Sequence, residues 1–346
     1  MIGFRVDANE KIATGHLMRC MAIAKGFQRM GEEVVFFLAE EKETQRLKVQ
    51  NIPYVVLNSR WDDLEQELPV LKQQLEEHNV HALIVDSYQA TKAYLECLNQ
   101  RVQVIYMDDM AEEVYSIAGV VHYSNWPWDT TYREWYEKTD TVCMAGMEYT
   151  PLRQEFYPSV TKEKKTILLT TGGTDPYNIA GRMLEYVKKQ RNRQQAGKFP
   201  NEAHFLVISG SMNQNKPYLE SLAQHNDWIT LCENVNNMGD LMRDSYLAVS
   251  AGGTTLYELC ACQVPTISFS FADNQEGFTE EMGAQGIMFY AGDARKEERL
   301  IEIIYERLEQ LWNDDTACGQ FRKKMGTLVD GKGVERICTC ICENLK

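Results

Sequence analysis

The residues near the start of the chain that could do chemistry are Arg5, Asp7, His16 and Arg19, and their spacing is unusual. An apolar run, Ile2 to Val6, carries Arg5 and is followed by Asp7. A charged loop then leads to Gly15-His16, and Leu17, Cys20, Met21 and Ala24 continue at helical spacing. This predicts a strand, a loop and a helix whose first turn presents one imidazole. In an α/β sheet, ligands bind outside the carboxyl ends of the strands. An imidazole there, with an ordinary pKa of about 6.5, is suited to general base work near neutral pH. The positive end of the helix dipole favours its neutral form. Asp7 or another polar group of a loop is a candidate to orient the ring.

Two further loops could bind phosphate. Leu168-Leu169-Thr170-Thr171 runs into Gly172-Gly173-Thr174-Asp175-Pro176, and Leu247-Ala248-Val249 runs through Ser250-Ala251 into Gly252-Gly253-Thr254-Thr255. Glycines let a backbone approach a ligand closely, and amides exposed ahead of a helix favour anions. The threonines could equally cap the following helix. Glu258, one turn on, could accept hydrogen bonds from ribose hydroxyls. Neither loop has the lysine of a nucleotide triphosphatase or the GxGxxG of a dinucleotide-binding turn. Phe271-Ala272-Asp273-Asn274-Gln275 ends another apolar run, where Asp273 or Asn274 could cap a helix or present a side chain to a ligand.

These segments need a scaffold of alternating strands and helices. Strand-like runs fall at 2–6, 33–38, 54–57, 82–85, 102–107, 120–122 and 141–145, then at 166–170, 204–208, 229–232, 247–249, 266–271 and 287–290. Helical patterns lie between them, clearest at 16–30, 61–78 and 90–99. Such alternation predicts parallel sheets with crossover helices. The pattern breaks near 152–164, so two Rossmann-like domains facing a cleft are expected, at 1–155 and 160–346. Val334, Ile337, Cys338 and Ile341 form a stripe on a terminal helix that could pack back on the first domain.

Composition excludes several classes. With 44% hydrophobic and 25% charged residues over 346, the chain reads as soluble and globular. No apolar run approaches the roughly 20 residues that span a bilayer, and no signal peptide precedes the first strand, so a cytoplasmic protein is expected. A net charge of −14 argues against a nucleic-acid partner. The ten cysteines read as free thiols, since Cys338, Cys340 and Cys342 point to different helix faces. Asp62-Asp63, Asp108-Asp109 and Asp314-Asp315 are adjacent pairs without DxD spacing, so neither metal nor cofactor is expected. Asp108-Asp109 reads as a ligand-edge feature or a loop cap. The aromatic stretch 125–136 reads as packing or as a sugar-binding wall. His78, His81, His122, His204 and His225 read as surface or strand-end residues.

Taken in order, Gly15-His16 with Arg19-Cys20, Asp86-Ser87-Tyr88, Gly172-Gly173-Thr174-Asp175-Pro176, Asn234-Val235-x-x-Met238, Ser250 to Glu258, Phe271 to Gln275 and Asp330-Gly331-x-Gly333 cover nearly the whole chain. The set resembles the UDP-sugar hydrolases of pseudaminic acid biosynthesis, which release UDP from UDP-2,4-diacetamido-2,4,6-trideoxy-β-L-altropyranose. It is also similar to the spore-coat polysaccharide proteins, and both look like the two-domain glycosyltransferase-B fold of the peptidoglycan transferase that adds N-acetylglucosamine to lipid I. The resemblance implies that His16 and Asn274 are catalytic. It implies substrate contacts at Arg5, Asp7, Gly15, Arg19, Tyr88, Gly173, Thr174, Gly252, Gly253, Thr254, Thr255, Glu258, Asp273 and Gln275. Ala13 stands where the family has glycine, and Cys262-Gln263 where it often has Leu-Gly. The implied activity is inverting hydrolysis of a UDP-sugar by a monomer or weak oligomer, without metal, in surface polysaccharide or flagellin glycosylation. The alternatives are a UDP-sugar glycosyltransferase and a non-catalytic UDP-sugar binding protein.

Overall fold

The computed structural model describes all residues except 8–14, 43, 125–129, 159–165, 194–198, 211, 234, 236 and 346. The chain folds into two compact units, Met1–Gln154 with Gly331–Lys346, and Glu155–Asp330. The terminal segment, counted above with the second domain, thus sits with the first. Ala13, Asn234 and the start of the aromatic stretch lie outside the described residues.

The first unit runs β1 (Ile2–Val6), α1 (Gly15–Arg29), β2 (Val34–Leu38), α2 (Thr44–Val49), β3 (Tyr54–Val56), α3 (Leu68–Glu77), β4 (Ala82–Asp86), α4 (Lys92–Asn99), β5 (Gln103–Met107), β6 (Gly119–His122), α5 (Thr131–Glu134) and β7 (Val142–Ala145). All seven strands are parallel, in the order β3-β2-β1-β4-β5-β6-β7. A parallel sheet is covered on both faces, which is why its central strands are fully buried and apolar apart from Arg5 in β1 and Asp86 at the end of β4. The helix expected over 61–78 is broken. A 3-10 turn (Leu64–Glu67) precedes α3, whose first turn contains Pro69. Proline lacks the amide an α-helix interior needs but is tolerated in a first turn.

The second unit runs β8 (Thr166–Thr170), α6 (Ile179–Arg191), β9 (His204–Ser209), α7 (Lys216–Gln224), β10 (Ile229–Glu233), α8 (Met238–Arg243), β11 (Leu247–Ala251), α9 (Thr255–Ala261), β12 (Thr266–Ser270), α10 (Asp273–Ala284), β13 (Phe289–Asp293), α11 (Leu300–Trp312) and α12 (Asp315–Leu328). Its sheet is parallel in the order β10-β9-β8-β11-β12-β13. The last strand starts two residues later than expected. The Ile287 and Met288 amides donate back to the Met282 carbonyl at the end of α10, and β13 joins β12 with a register shift between Ser268 and Ser270.

The chain closes with α13 (Gly333–Asn344), which packs on α1 of the first unit. Its Val334, Ile337, Cys338 and Ile341 are buried. Gly26 of α1 makes the approach possible, because a Cβ there would lie 2.5 Å from Val334 Cγ1 and 2.7 Å from Cys338 Sγ. All ten cysteines are free. Among the described residues no helix is long and apolar enough to cross a membrane, and no group of three His, Cys, Asp or Glu could hold a metal ion.

Strand order reverses between β1 and β4 in the first sheet and between β8 and β11 in the second. These switch points leave an opening at the carboxyl edge of each sheet, where ligands of open α/β folds bind. The histidine loop and both glycine loops leave from these strands.

Candidate functional site

In the first unit, α1 places His16 in its first turn, and β4 ends on Asp86, which pairs with Val6 across the switch point. His16 Nδ1 bonds Asp86 Oδ1. An anionic Asp86 keeps the proton on Nδ1, so the lone pair of the neutral ring lies on Nε2. No described residue bonds that nitrogen, and it is the atom free to act as a base.

Arg19, one turn along α1, completes the cluster. Its Nε donates to Asp86 Oδ2 at 2.6 Å and its Nη2 to Asp86 Oδ1 at 2.6 Å. On its other edge, Nη1 and Nη2 reach Asp109 at 2.9 and 2.8 Å, and Nη1 also donates to the Tyr123 hydroxyl at 2.6 Å. Burial alone would push the Asp86 carboxyl up. The charge of Arg19, with hydrogen bonds from Arg19 and His16, outweighs it and holds the group well below the usual carboxylate range. Tyr88, half exposed, donates to Asp109 Oδ2 at 3.1 Å and packs edge-on against the His16 ring at 4.6 Å. Burial and the Asp109 charge raise its phenol to about 12, so it remains a donor at neutral pH. Cys20 is buried, donates to Asp86 at 3.3 Å and is held as a thiol.

Two expected contacts take other roles. Arg5 is fully buried: Nε donates to Glu67 Oε1 at 2.5 Å and Nη1 to Asp7 Oδ1 at 2.8 Å. Tyr94 and Ser59 donate to the same Glu67 at 2.8 and 2.6 Å. Arg5 is therefore a fully buried residue whose guanidinium is taken up by Glu67 and Asp7 rather than presented at the surface. Asp7 is held by Arg5 rather than by His16, and its other oxygen is buried without a hydrogen bond. Asp86, quoted in a motif but not expected to orient the ring, does so.

The Asp108-Asp109 pair divides its labour. Asp108 Oδ1 accepts the amides of Met110 and Ala111 at 3.2 and 2.9 Å and Oδ2 the Tyr132 hydroxyl at 2.7 Å, which is a loop cap. Asp109 belongs to the Arg19 cluster. Tyr132 and Tyr136 are buried, with Trp135 packed on them, so the described part of the aromatic stretch is core. His122 stacks on Tyr132 at 4.3 Å and is structural.

In the second unit, the loops after β8 and β11 leave from adjacent strands, Thr170 pairing with Ser250. Gly172 and Gly253 have φ of +78° and +142°, which only glycine adopts without strain. Gly173 is exposed and Thr174 half exposed, while Asp175 is buried and accepts the amides of Ile179 and Ala180 at 2.8 and 3.0 Å, capping α6. In the second loop the threonine cap, one of two roles open to these residues, does not form. Thr254 stands at the N-cap of α9 but its hydroxyl makes no cap hydrogen bond to the helix, and Gly253 and Thr254 are exposed. Thr255 opens α9, and Glu258 is half buried one turn further along.

The first turn of α10 lies against this loop. A Cβ on Gly252 would meet Gln275 Cβ at 2.9 Å and Thr279 Oγ1 at 3.1 Å. Gln275 Oε1 accepts the Phe271 amide at 3.0 Å. Neither Asp273 nor Asn274 caps the helix, since Ala272 is the N-cap and both lie inside the first turn. Asp273 pairs with Arg295 at 2.5 Å, whereas Asn274 is exposed with its amide unbonded among the described residues. Gln275 thus lies against Gly252, and exposed Asn274 stands beside it in the same turn.

Residues 167–317, within the second unit, match the glycosyltransferase family 28 C-terminal domain. The chain superposes on MurG of Acinetobacter baumannii with a TM-score of 0.64 over 99% of both chains, at 14% identity. It carries the glycosyltransferase-B fold. It is also 24% identical over 219 residues to the spore coat polysaccharide biosynthesis protein SpsG of Bacillus subtilis, covering 61% of this chain and 60% of that one. An uncharacterized protein of Methanocaldococcus jannaschii is 22% identical over 281 residues, 77% of this chain and 54% of the relative. The chain therefore spans a little over half the length of these curated relatives.

Proposed function

We propose that this glycosyltransferase-B protein is an enzyme that releases UDP from a UDP-sugar by water attack at the anomeric carbon. The observation that carries the reading is the His16–Asp86 pair, which fixes one tautomer and leaves Nε2 free as a base. The family 28 match and the uncapped residues 252–255 support a nucleotide diphosphate on the second unit. Amides around Gly253 and Thr254 stabilise the charge that develops on the departing diphosphate. As the bond between C1 and the diphosphate oxygen breaks, water forms the new C–O bond from the opposite face and His16 Nε2 takes its proton, with inversion. Glu258 accepts from the ribose, and the Asn274 amide donates to and accepts from sugar substituents. The substrate is UDP-2,4-diacetamido-2,4,6-trideoxy-β-L-altropyranose, as the ordered motifs imply, in a cytoplasmic route to pseudaminic acid.

The family 28 match also favours a transferase, in which an acceptor hydroxyl replaces water and His16 takes its proton. The experiment is UDP release from that UDP-sugar with EDTA present and no acceptor, beside UDP-N-acetylglucosamine. Release from the altrose compound alone, abolished in His16→Asn, supports the hydrolase. No release from either, with UDP still bound, rejects it in favour of the transferase.

A further inference from the structure

The first turn of α10 starts without a side-chain cap, yet it carries Asn274. It is held from outside by one residue of the β13 edge. Arg295 Nη1 donates to Asp273 Oδ1 at 2.5 Å and Nη2 to Glu276 Oε2 at 3.4 Å, so a single guanidinium grips the residues on both sides of Asn274-Gln275. Its Nε lies 3.0 Å from both oxygens of Asp293 and its Nη2 2.6 Å from Oδ2. Asp293 is the buried last residue of β13, paired with Ser270, and it also accepts the Arg295 amide at 2.8 Å. The anchor is therefore the sheet. Lys296 adds a second hold on Glu276 at 2.5 Å.

On its other flank the turn is fixed by Gln275, bonded to the Phe271 amide and packed on Gly252. Asn274 stands between these restraints and has no anchor of its own. Exposed ion pairs add little stability, but placement within a fraction of an ångström governs what a contacting side chain can do. The guanidinium is engaged by three carboxylates, two of which belong to the turn that carries Asn274.

We propose that Arg295 is a positioning residue that fixes Asn274 against the sugar of a UDP-sugar held by residues 252–255. This rests on the reading of the site above. Arg295→Lys keeps the charge but cannot grip two carboxylates as a fork.

The test is calorimetric titration of UDP, UDP-2,4-diacetamido-2,4,6-trideoxy-β-L-altropyranose and UDP-N-acetylglucosamine into proteins carrying His16→Asn, so that turnover is slowed about 10²–10⁴-fold and binding is read. Arg295→Gln should weaken the better-bound UDP-sugar about tenfold, with UDP affinity within about twofold and melting unchanged, and Arg295→Lys should fall between. On an Asn274→Ala background, Arg295→Gln should add less than about twofold, because both act through one contact. Unchanged sugar affinity, an additive loss, or equal weakening of UDP and UDP-sugar would overturn the proposal. If the parent protein gains no affinity from either sugar, the site reading fails and the proposal with it. A gain that Arg295→Gln leaves intact defeats the positioning role alone.

Discussion

Asp86 bonds His16 from the end of β4, seventy residues away in sequence, and the two meet because β1 and β4 are neighbours in the sheet. The same carboxylate takes two hydrogen bonds from Arg19, so one buried anion sets both the tautomer of the base and the place of the cation beside it. Asp86→Asn keeps the shape but no longer demands a proton on Nδ1. Turnover is expected to fall about 10²–10⁴-fold, the range of a lost general base, with UDP affinity unchanged. His16→Asn should show a loss of similar size, and the double variant little more than either single one. Single-turnover UDP release measures all three; a product of the two separate losses in the double variant would show that the residues do not act as a unit.

The depressed Asp86 pKa also makes a pH prediction. A carboxyl whose folded pKa lies below its unfolded value of about 3.9 contributes stability that is complete above that value and is lost as pH falls through the folded pKa. The stability gap between the native chain and Asp86→Asn should be widest at neutral pH and should shrink below about pH 4. Urea midpoints at pH 7, 5 and 3 measure it, and a gap constant down to pH 3 would contradict the electrostatic account of this cluster.

How far sequence carries the structure depends on the range of the interaction. Strands such as β4 and β11 were legible because a sheet buried on both faces demands apolar runs, and the terminal stripe from Val334 to Ile341 because helices bury one face. The glycine loops were legible because backbone conformation is local. The burial of Arg5 is not legible for the reason the strands are easy: a charge beside Asp7 looks like the rim of a site, and only the fold reveals the Glu67 that Arg5, Tyr94 and Ser59 share. Asp86 escaped because its partners are fixed by strand order. The absent threonine cap at Thr254 depends on local geometry that residue type leaves open.

The burial of Arg5 can be checked directly. Arg5→Met leaves Glu67 and Asp7 buried without their cation, and removal of one partner from such a network costs about 3–5 kcal/mol. Urea denaturation should show that loss, while the KM of whatever enzyme remains folded should stay within about twofold of the native value, since the Arg5 side chain is fully buried. A raised KM at undiminished stability would return Arg5 to the substrate site.

Two glycine variants separate backbone conformation from packing, one in each unit. Gly253→Ala places a Cβ in open space but at a φ of +142°, so only the loop's conformation is penalised, by about 1–3 kcal/mol. If residues 252–255 hold the diphosphate, UDP should bind at least about tenfold more weakly as the loop relaxes. Gly26→Ala does the reverse: its conformation is ordinary, but the methyl meets Val334 and Cys338, and overpacking of this kind costs about 1–3 kcal/mol. That variant should melt earlier yet bind UDP like the native chain. Melting curves and UDP titrations on the two variants give four readings. Weakened UDP binding in Gly26→Ala, or native binding in Gly253→Ala, would count against assigning the diphosphate to this loop.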